Sequence, residues 1–177
     1  MLSDLESSFD AERRADLVAQ SAELAEAEHA SIEVVDRLRG TVGRPIHLRT
    51  RSGAPVDGVL TRVEPAYVLV DEGEGLQAIV PLAGVTTVAT LAGPAPRDDR
   101  RRPTLGALLR EIARRGVRVR LIAGAVDVVG RLIRVGADHV DIALDSEGRG
   151  CVRRATGAGV VGVVSVMTAA IEVLRSR

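Results

Sequence analysis

The chain predicts an α+β fold in which a long N-terminal helix is followed by two five-stranded small β-barrels, each preceded by a helix. Three observations carry this expectation. A set of strand-like segments occurs twice with nearly the same spacing: Ile46-His47-Leu48, Val56–Val63 and Tyr67–Val70, then Val119-Arg120-Leu121, Val128–Val135 and His139–Ile142. A repeat of this size means two copies of one module. Residues 3–39 contain neither Pro nor Gly and are dominated by Ala, Glu, Leu and Arg, the composition of a helix or of two helices end to end. Short apolar runs separated by Gly-, Pro- and charge-rich turns fill most of the rest, at the spacing of a small barrel.

In chain order, Ser3-Asp4-Leu5-Glu6 has the form of a capping box at the start of the first helix. The heptad positions Leu17, Leu24, Ser31 and Leu38 are only partly apolar, so no clean coiled-coil seam is expected. The helix either packs on its own barrel or offers a weak dimerisation surface. Five strands are expected near 45–50, 56–63, 67–71, 76–80 and 85–90, joined at Ser52–Pro55, Glu64–Ala66, Asp71–Gly75 and Pro81–Gly84. A barrel of this size buries a low fraction of its surface and needs its helix or a neighbour for stability.

Residues 93–103, rich in Pro, Asp and Arg, read as a linker. Thr104 then caps a second helix whose Leu105, Leu108, Leu109, Ile112 and Ala113 form one apolar stripe. The second copy is longer than the first between Leu144 and Val166. The expected domains are therefore 1–40 (helical segment), 41–92 (first barrel), 93–103 (linker) and 104–177 (helix plus second barrel).

Composition narrows the function. The 177 residues are 46% hydrophobic, Phe9 and Tyr67 are the only aromatics, and Lys, Asn and Trp are absent. A GC-rich genome accounts for Arg in place of Lys. No apolar run reaches membrane-spanning length, and the lone Cys151 forms no internal disulfide, which together point to the cytoplasm and away from a membrane. Net charge is zero, yet residues 1–40 carry ten acids against four arginines and residues 93–177 carry sixteen arginines against nine acids. That asymmetry favours electrostatic contacts within or between chains.

The motifs Gly58-Val59-Leu60-Thr61-Arg62-Val63 and Gly130-Arg131-Leu132-Ile133-Arg134-Val135 resemble the first motif of Sm-like (LSm/Hfq-type) SH3-like small barrels. Ile79–Val85 and Val166–Ile171 stand where the second motif lies. The chain is thus similar to a tandem Sm-like protein of the kind carried by GC-rich, actinobacterial genomes. The resemblance implies barrels that associate edge to edge, the fourth strand of one with the fifth of the next, so that the two copies form either a covalent pseudo-dimer or the repeating unit of a ring, and hence a homo-oligomer. Relatives that bind uridine-rich RNA use an Asn in the first motif and an Arg-Gly in the second; this chain has no Asn, and Pro81-Leu82 occupies the second position in the first copy.

Candidate nucleic-acid-binding residues are Arg118, Arg120, Arg131, Arg134, Arg149, Arg153 and Arg154, with Tyr67 and His139 at equivalent places where a ring can stack a base. No catalytic, cofactor or metal site is expected. His139 and Asp141 share a strand face but lack further ligands, and Cys151 with His139 fits no nucleophile signature. Gly157–Gly162 has the spacing of a dinucleotide loop, but strand follows it where a helix is required. The expected function is a non-enzymatic binding and assembly module acting through protein–protein contacts. RNA or single-stranded nucleic-acid binding through the second barrel is the alternative.

Overall fold

The computed structural model describes residues 2–96, 103–145 and 162–177. They fall into two compact units, Met1–Val34 and Val35–Arg177. The first is a single helix, α1 (Leu2–Ser31), and a separate short helix, α2 (Val34–Thr41), opens the second. Apolar residues in α1 are scattered around the axis, so no stripe forms; Leu17, Val18 and Leu24 are all exposed. The capping-box side chains of Ser3 and Glu6 lie outside the described residues.

The second unit runs α2, β1 (Pro45–Thr50), β2 (Pro55–Val63), β3 (Tyr67–Gly73), β4 (Leu76–Pro81), a single 3-10 turn at Leu82–Gly84, and β5 (Val85–Ala89). It continues with α3 (Leu105–Arg115), β6 (Arg118–Ala123), β7 (Val126–Val135), β8 (His139–Leu144), β9 (Val163–Met167), a second 3-10 turn at Thr168–Ala170, and β10 (Val173–Ser176). The Thr104 hydroxyl accepts a hydrogen bond from the Ala107 N–H, and Gly116 ends α3 in the left-handed region at φ 62°. These are the paired start and stop signals of a helix. Leu109 and Ile112 of the expected stripe are buried.

The expected pair of closed five-stranded barrels is corrected here. The ten strands form one open antiparallel sheet in the order β5-β1-β2-β3-β4-β10-β6-β7-β8-β9. β4 does not return to β5; it pairs with β10, with Leu174 opposite Ile79, Arg175 opposite Ala78 and Ser176 opposite Gln77. The physical reason lies in the cores. Tyr67 and Ile79, from β3 and β4, are buried in one cluster with Leu109, Ile112, Leu121 and Leu174. Val173 of β10 is buried in the other with Leu38, Ile46, Leu60 and Val80, and Ile122 packs against it. Each half thus completes the core of the other, and closing either on itself would strip apolar area from both.

The two halves share one strand order, and one bulge recurs in both. β2 is bulged between Leu60 and Arg62 where it pairs with β3, and β7 between Leu132 and Arg134 where it pairs with β8. Such bulges sharpen the bend of a strand. Beside them the crossing backbone comes so close that a Cβ on Gly58 would lie 2.2 Å from the Asp71 carbonyl oxygen, and one on Gly130 2.0 Å from that of Ala143. The glycine of the repeated motif is required by that contact.

Candidate functional site

Four of the seven arginines expected to form a basic patch, Arg118, Arg120, Arg131 and Arg134, stand on β6 and β7. Arg118 and Arg131 are opposite one another across the two strands, and Arg120, two residues along β6, shares their face. Two of them face carboxylates. Arg118 Nε donates to Asp145 at 2.6 Å, and the Arg120 guanidinium makes a fork of bonds to Asp127 at 2.6–3.2 Å. Arg134 stands 4.0 Å from Asp141. Arg149, Arg153, Arg154 and Cys151 lie outside the described residues, as does most of the Gly157–Gly162 segment.

The two rings thought equivalent have different surroundings. Tyr67 is 1% exposed, and its hydroxyl donates to the Pro103 carbonyl at 3.3 Å. Burial pushes its phenol pKa up, the Glu64 charge adds to that, and Arg62 opposes it. A ring so covered has no face for a base. His139 is partly exposed, and its ring N–H donates to Asp138 at 2.8 Å, which holds that carboxyl below its ordinary range. Asp141 accepts from the Ser165 hydroxyl at 2.6 Å. Among the described residues no three His, Cys, Asp or Glu side chains converge as metal ligands, and no helix is long and apolar enough to cross a membrane.

Two features were not foreseen. Glu172 is a buried carboxylate at the junction of the halves: it accepts from the Ser52 N–H at 3.0 Å and the Ser52 hydroxyl at 2.5 Å, with Arg51 at 3.8 Å. Arg175 of β10 reaches across the seam to Glu72 with bonds of 2.6 and 2.9 Å and donates to the Pro55 carbonyl at 2.7 Å. The signal available for Glu172 was a lone charge inside the apolar run Ile171-Glu172-Val173-Leu174. A cavity of about 310 Å³ lies where α3 meets β3 and β4, lined by Leu69, Ile79, Leu108, Ile112 and Val117. Among the described residues that line it the one carboxylate side chain, Glu111, is paired with Arg114 and Arg115.

The remaining feature is the pair of outer edges. Among the described residues β5 and β9 each have one strand neighbour. Their sequences, Val-Thr-Thr-Val-Ala and Val-Val-Ser-Val-Met, contain no charge and no proline. Proteins usually protect such edges with Lys, Pro or a bulge; here both strands are short, at five residues each, and β5 is irregular where Thr86 falls between its pairings with β1.

The chain matches no family model and no curated protein.

Glu172 supplies a pH prediction. Burial alone would raise its pKa, but hydrogen bonds from Ser52 and Thr50 and the Arg51 charge outweigh burial and hold it below the ordinary value. A carboxyl whose folded pKa is depressed contributes stability that is present above its unfolded pKa and lost as pH falls through the folded one. Glu172→Gln is therefore expected to flatten the decline of unfolding free energy in the acid limb, measured by urea titration between neutral pH and about pH 3. Glu172→Ala leaves the Ser52 N–H without its acceptor and is expected to cost about 1–3 kcal/mol at neutral pH. An unchanged acid limb in Glu172→Gln would refute the assignment.

Proposed function

We propose that this chain is a non-enzymatic assembly module, acting in the cytoplasm, whose working surfaces are strand edges. The observation that carries the proposal is the β4·β10 seam, where two five-strand sets are already joined edge to edge, combined with outer edges that carry no protective charge or proline. The shared strand order, the matching bulges and the two packed glycines support reading the halves as copies of one module. They also agree with the resemblance to Sm-like proteins at Gly58–Val63 and Gly130–Val135. The arrangement of the described acids, bases and nucleophiles supports no reaction.

RNA or single-stranded nucleic-acid binding is the second reading, favoured by the common face of Arg118, Arg120 and Arg131. It ranks second because Arg118 and Arg120 already satisfy carboxylates and Tyr67 is covered. Affinity capture from a native lysate, with and without ribonuclease, separates the two. On the assembly reading, protein is retained after ribonuclease and released when the edges are blocked by Val88→Pro with Val163→Pro, positions whose N–H groups face away from β1 and β8. Recovery that depends on RNA, or retention unaffected by the edge variants, would overturn it. On the nucleic-acid reading, Arg131→Ala weakens oligonucleotide binding and makes it less steeply dependent on salt, because fewer counterions are released.

A further inference from the structure

We infer that the arginine-bearing face of β10, β6 and β7 is a binding site for a small anion built of linked phosphates. The inference is independent of the assembly reading and competes with the nucleic-acid reading for the same arginines. Across this face like charges are set directly opposite one another: Arg175 of β10 faces Arg120 of β6, and Arg118 of β6 faces Arg131 of β7. Opposed like charges destabilise a strand pair. The fold does not need them, because the first copy builds the same two strand pairs with His47 opposite Ala89 and Pro45 opposite Val59. Arg177, two residues beyond Arg175, joins Arg118, Arg120 and Arg175, and its counterpart in the first copy is Leu91. The cations are therefore an addition of the second copy, and no packing requirement accounts for them.

The surroundings of these groups select phosphate. Among the described residues three carboxylates answer the five guanidinium groups: Asp145 pairs with Arg118, Asp127 with Arg120 and Glu72 with Arg175. Two-point forks hold the Arg120 and Arg175 planes in place, so a ligand meets cations that are already oriented. The balance stays positive, and a further carboxylate would add nothing that the chain's own acids do not supply. A terminal phosphate carries about 1.5–2 negative charges and more acceptor oxygens than a carboxylate, so it accepts from two guanidinium groups at once. The space suits a short chain of phosphates. Arg118, Arg120, Arg175 and Arg177, with Leu76 and Val129, line a shallow groove of about 330 Å³. Same-face neighbours stand about 5 Å apart across strands and about 7 Å along them, a spread that linked phosphates cover and one orthophosphate does not. Among the described residues no ring lines the groove, so a nucleic-acid strand has no platform for its bases there.

The test titrates the full chain with tripolyphosphate, a nucleoside triphosphate and orthophosphate by isothermal calorimetry, in magnesium-free buffer at about 50 mM salt, where attraction to the arginines is little screened. Saturable binding of a linked phosphate, at least about tenfold tighter than that of orthophosphate, is expected because it gathers more charge-assisted bonds. Tighter binding of the nucleoside triphosphate than of tripolyphosphate identifies a nucleotide as the source, and the reverse identifies an inorganic chain. Arg118→Gln with Arg120→Gln, checked for the parent's circular dichroism spectrum and melting temperature, is expected to weaken binding at least about tenfold. Arg177→Gln, at an exposed position that leaves the fold alone, is expected to weaken it about threefold. His47→Gln, the first-copy counterpart of Arg120, is expected to bind like the parent. No saturable binding by calorimetry or by a rise in melting temperature, an affinity unchanged in the arginine variants, or orthophosphate bound as tightly as the linked forms would overturn the inference. So would displacement of tripolyphosphate by an equal concentration of a single-stranded oligonucleotide, which favours the nucleic-acid reading, or of an oligoglutamate peptide, which favours an acidic protein segment. The assembly reading is judged separately, by the ribonuclease-resistant capture and the edge variants.

Discussion

Val173→Asp is expected to unfold both halves of the Val35–Arg177 unit together. Val173 sits on a strand of the second half, yet it is fully buried in the core built from Leu38, Ile46, Leu60 and Val80. An unpaired carboxylate among aliphatic side chains costs several kcal/mol, about the whole stability of a domain this size. The loss would not stop at the first core, because Tyr67 and Ile79 carry the damage into the second. Leu174→Asp, aimed at the other core from the adjacent residue, is expected to do the same. Thermal unfolding followed by circular dichroism should show one cooperative transition in the parent chain and none in either variant. Two transitions, with only one lost in each variant, would show that the halves fold independently.

The second large effect belongs to the glycines beside the bulges. Gly130→Ala forces a Cβ to 2.0 Å from the Ala143 carbonyl oxygen and 2.9 Å from Ile142 Cγ2. Gly58→Ala meets Asp71 and Val70 in the same way. The obstacle is backbone in each case, so the strands must part, and a loss of about 3 kcal/mol is expected for each substitution. Gly93, where a Cβ meets nothing within 4 Å, is the control, and Gly93→Ala is expected to stay within about 0.5 kcal/mol. Chemical denaturation measures all three. A small effect at Gly58 or Gly130 would mean the bulged crossing is looser than described.

The positions of the elements were legible because side chains announce them. Alternation along Ile46-His47-Leu48 and the stripe from Leu105 to Ala113 located β1 and α3, and Thr104 marked the start of that helix. The partner of each strand was not legible. An edge is made of backbone N–H and C=O groups, which every residue carries, so nothing in the side chains says whether β4 turns back to β5 or meets β10. The repeat suggested two separate barrels, which the single open sheet overturns; pairing of the fourth strand of one copy with the fifth of the other came from the resemblance to Sm-like proteins and not from the side chains. The same ambiguity misplaced Tyr67. Its equivalence to His139 suggested a surface ring, but Tyr67 stands at the occupied seam and His139 beside the open edge. Glu172 was passed over because one carboxylate in an apolar run names no partner until Ser52 is brought beside it.

The exchange of core residues across the seam also dictates an order of events during synthesis. Ile79 of β4 waits for Leu174 of β10, which emerges after every other strand described here. Until then the first half has its strands but not its lid, since Val173 and Ile122 are still to come. A nascent chain in that interval presents β4 as a third unprotected edge, open to the wrong neighbour. Pairings so distant in sequence also form slowly. The step that seals both cores is therefore the one on which the yield of native protein depends, and slowing translation across β6–β9 is the condition under which that dependence becomes visible as aggregation.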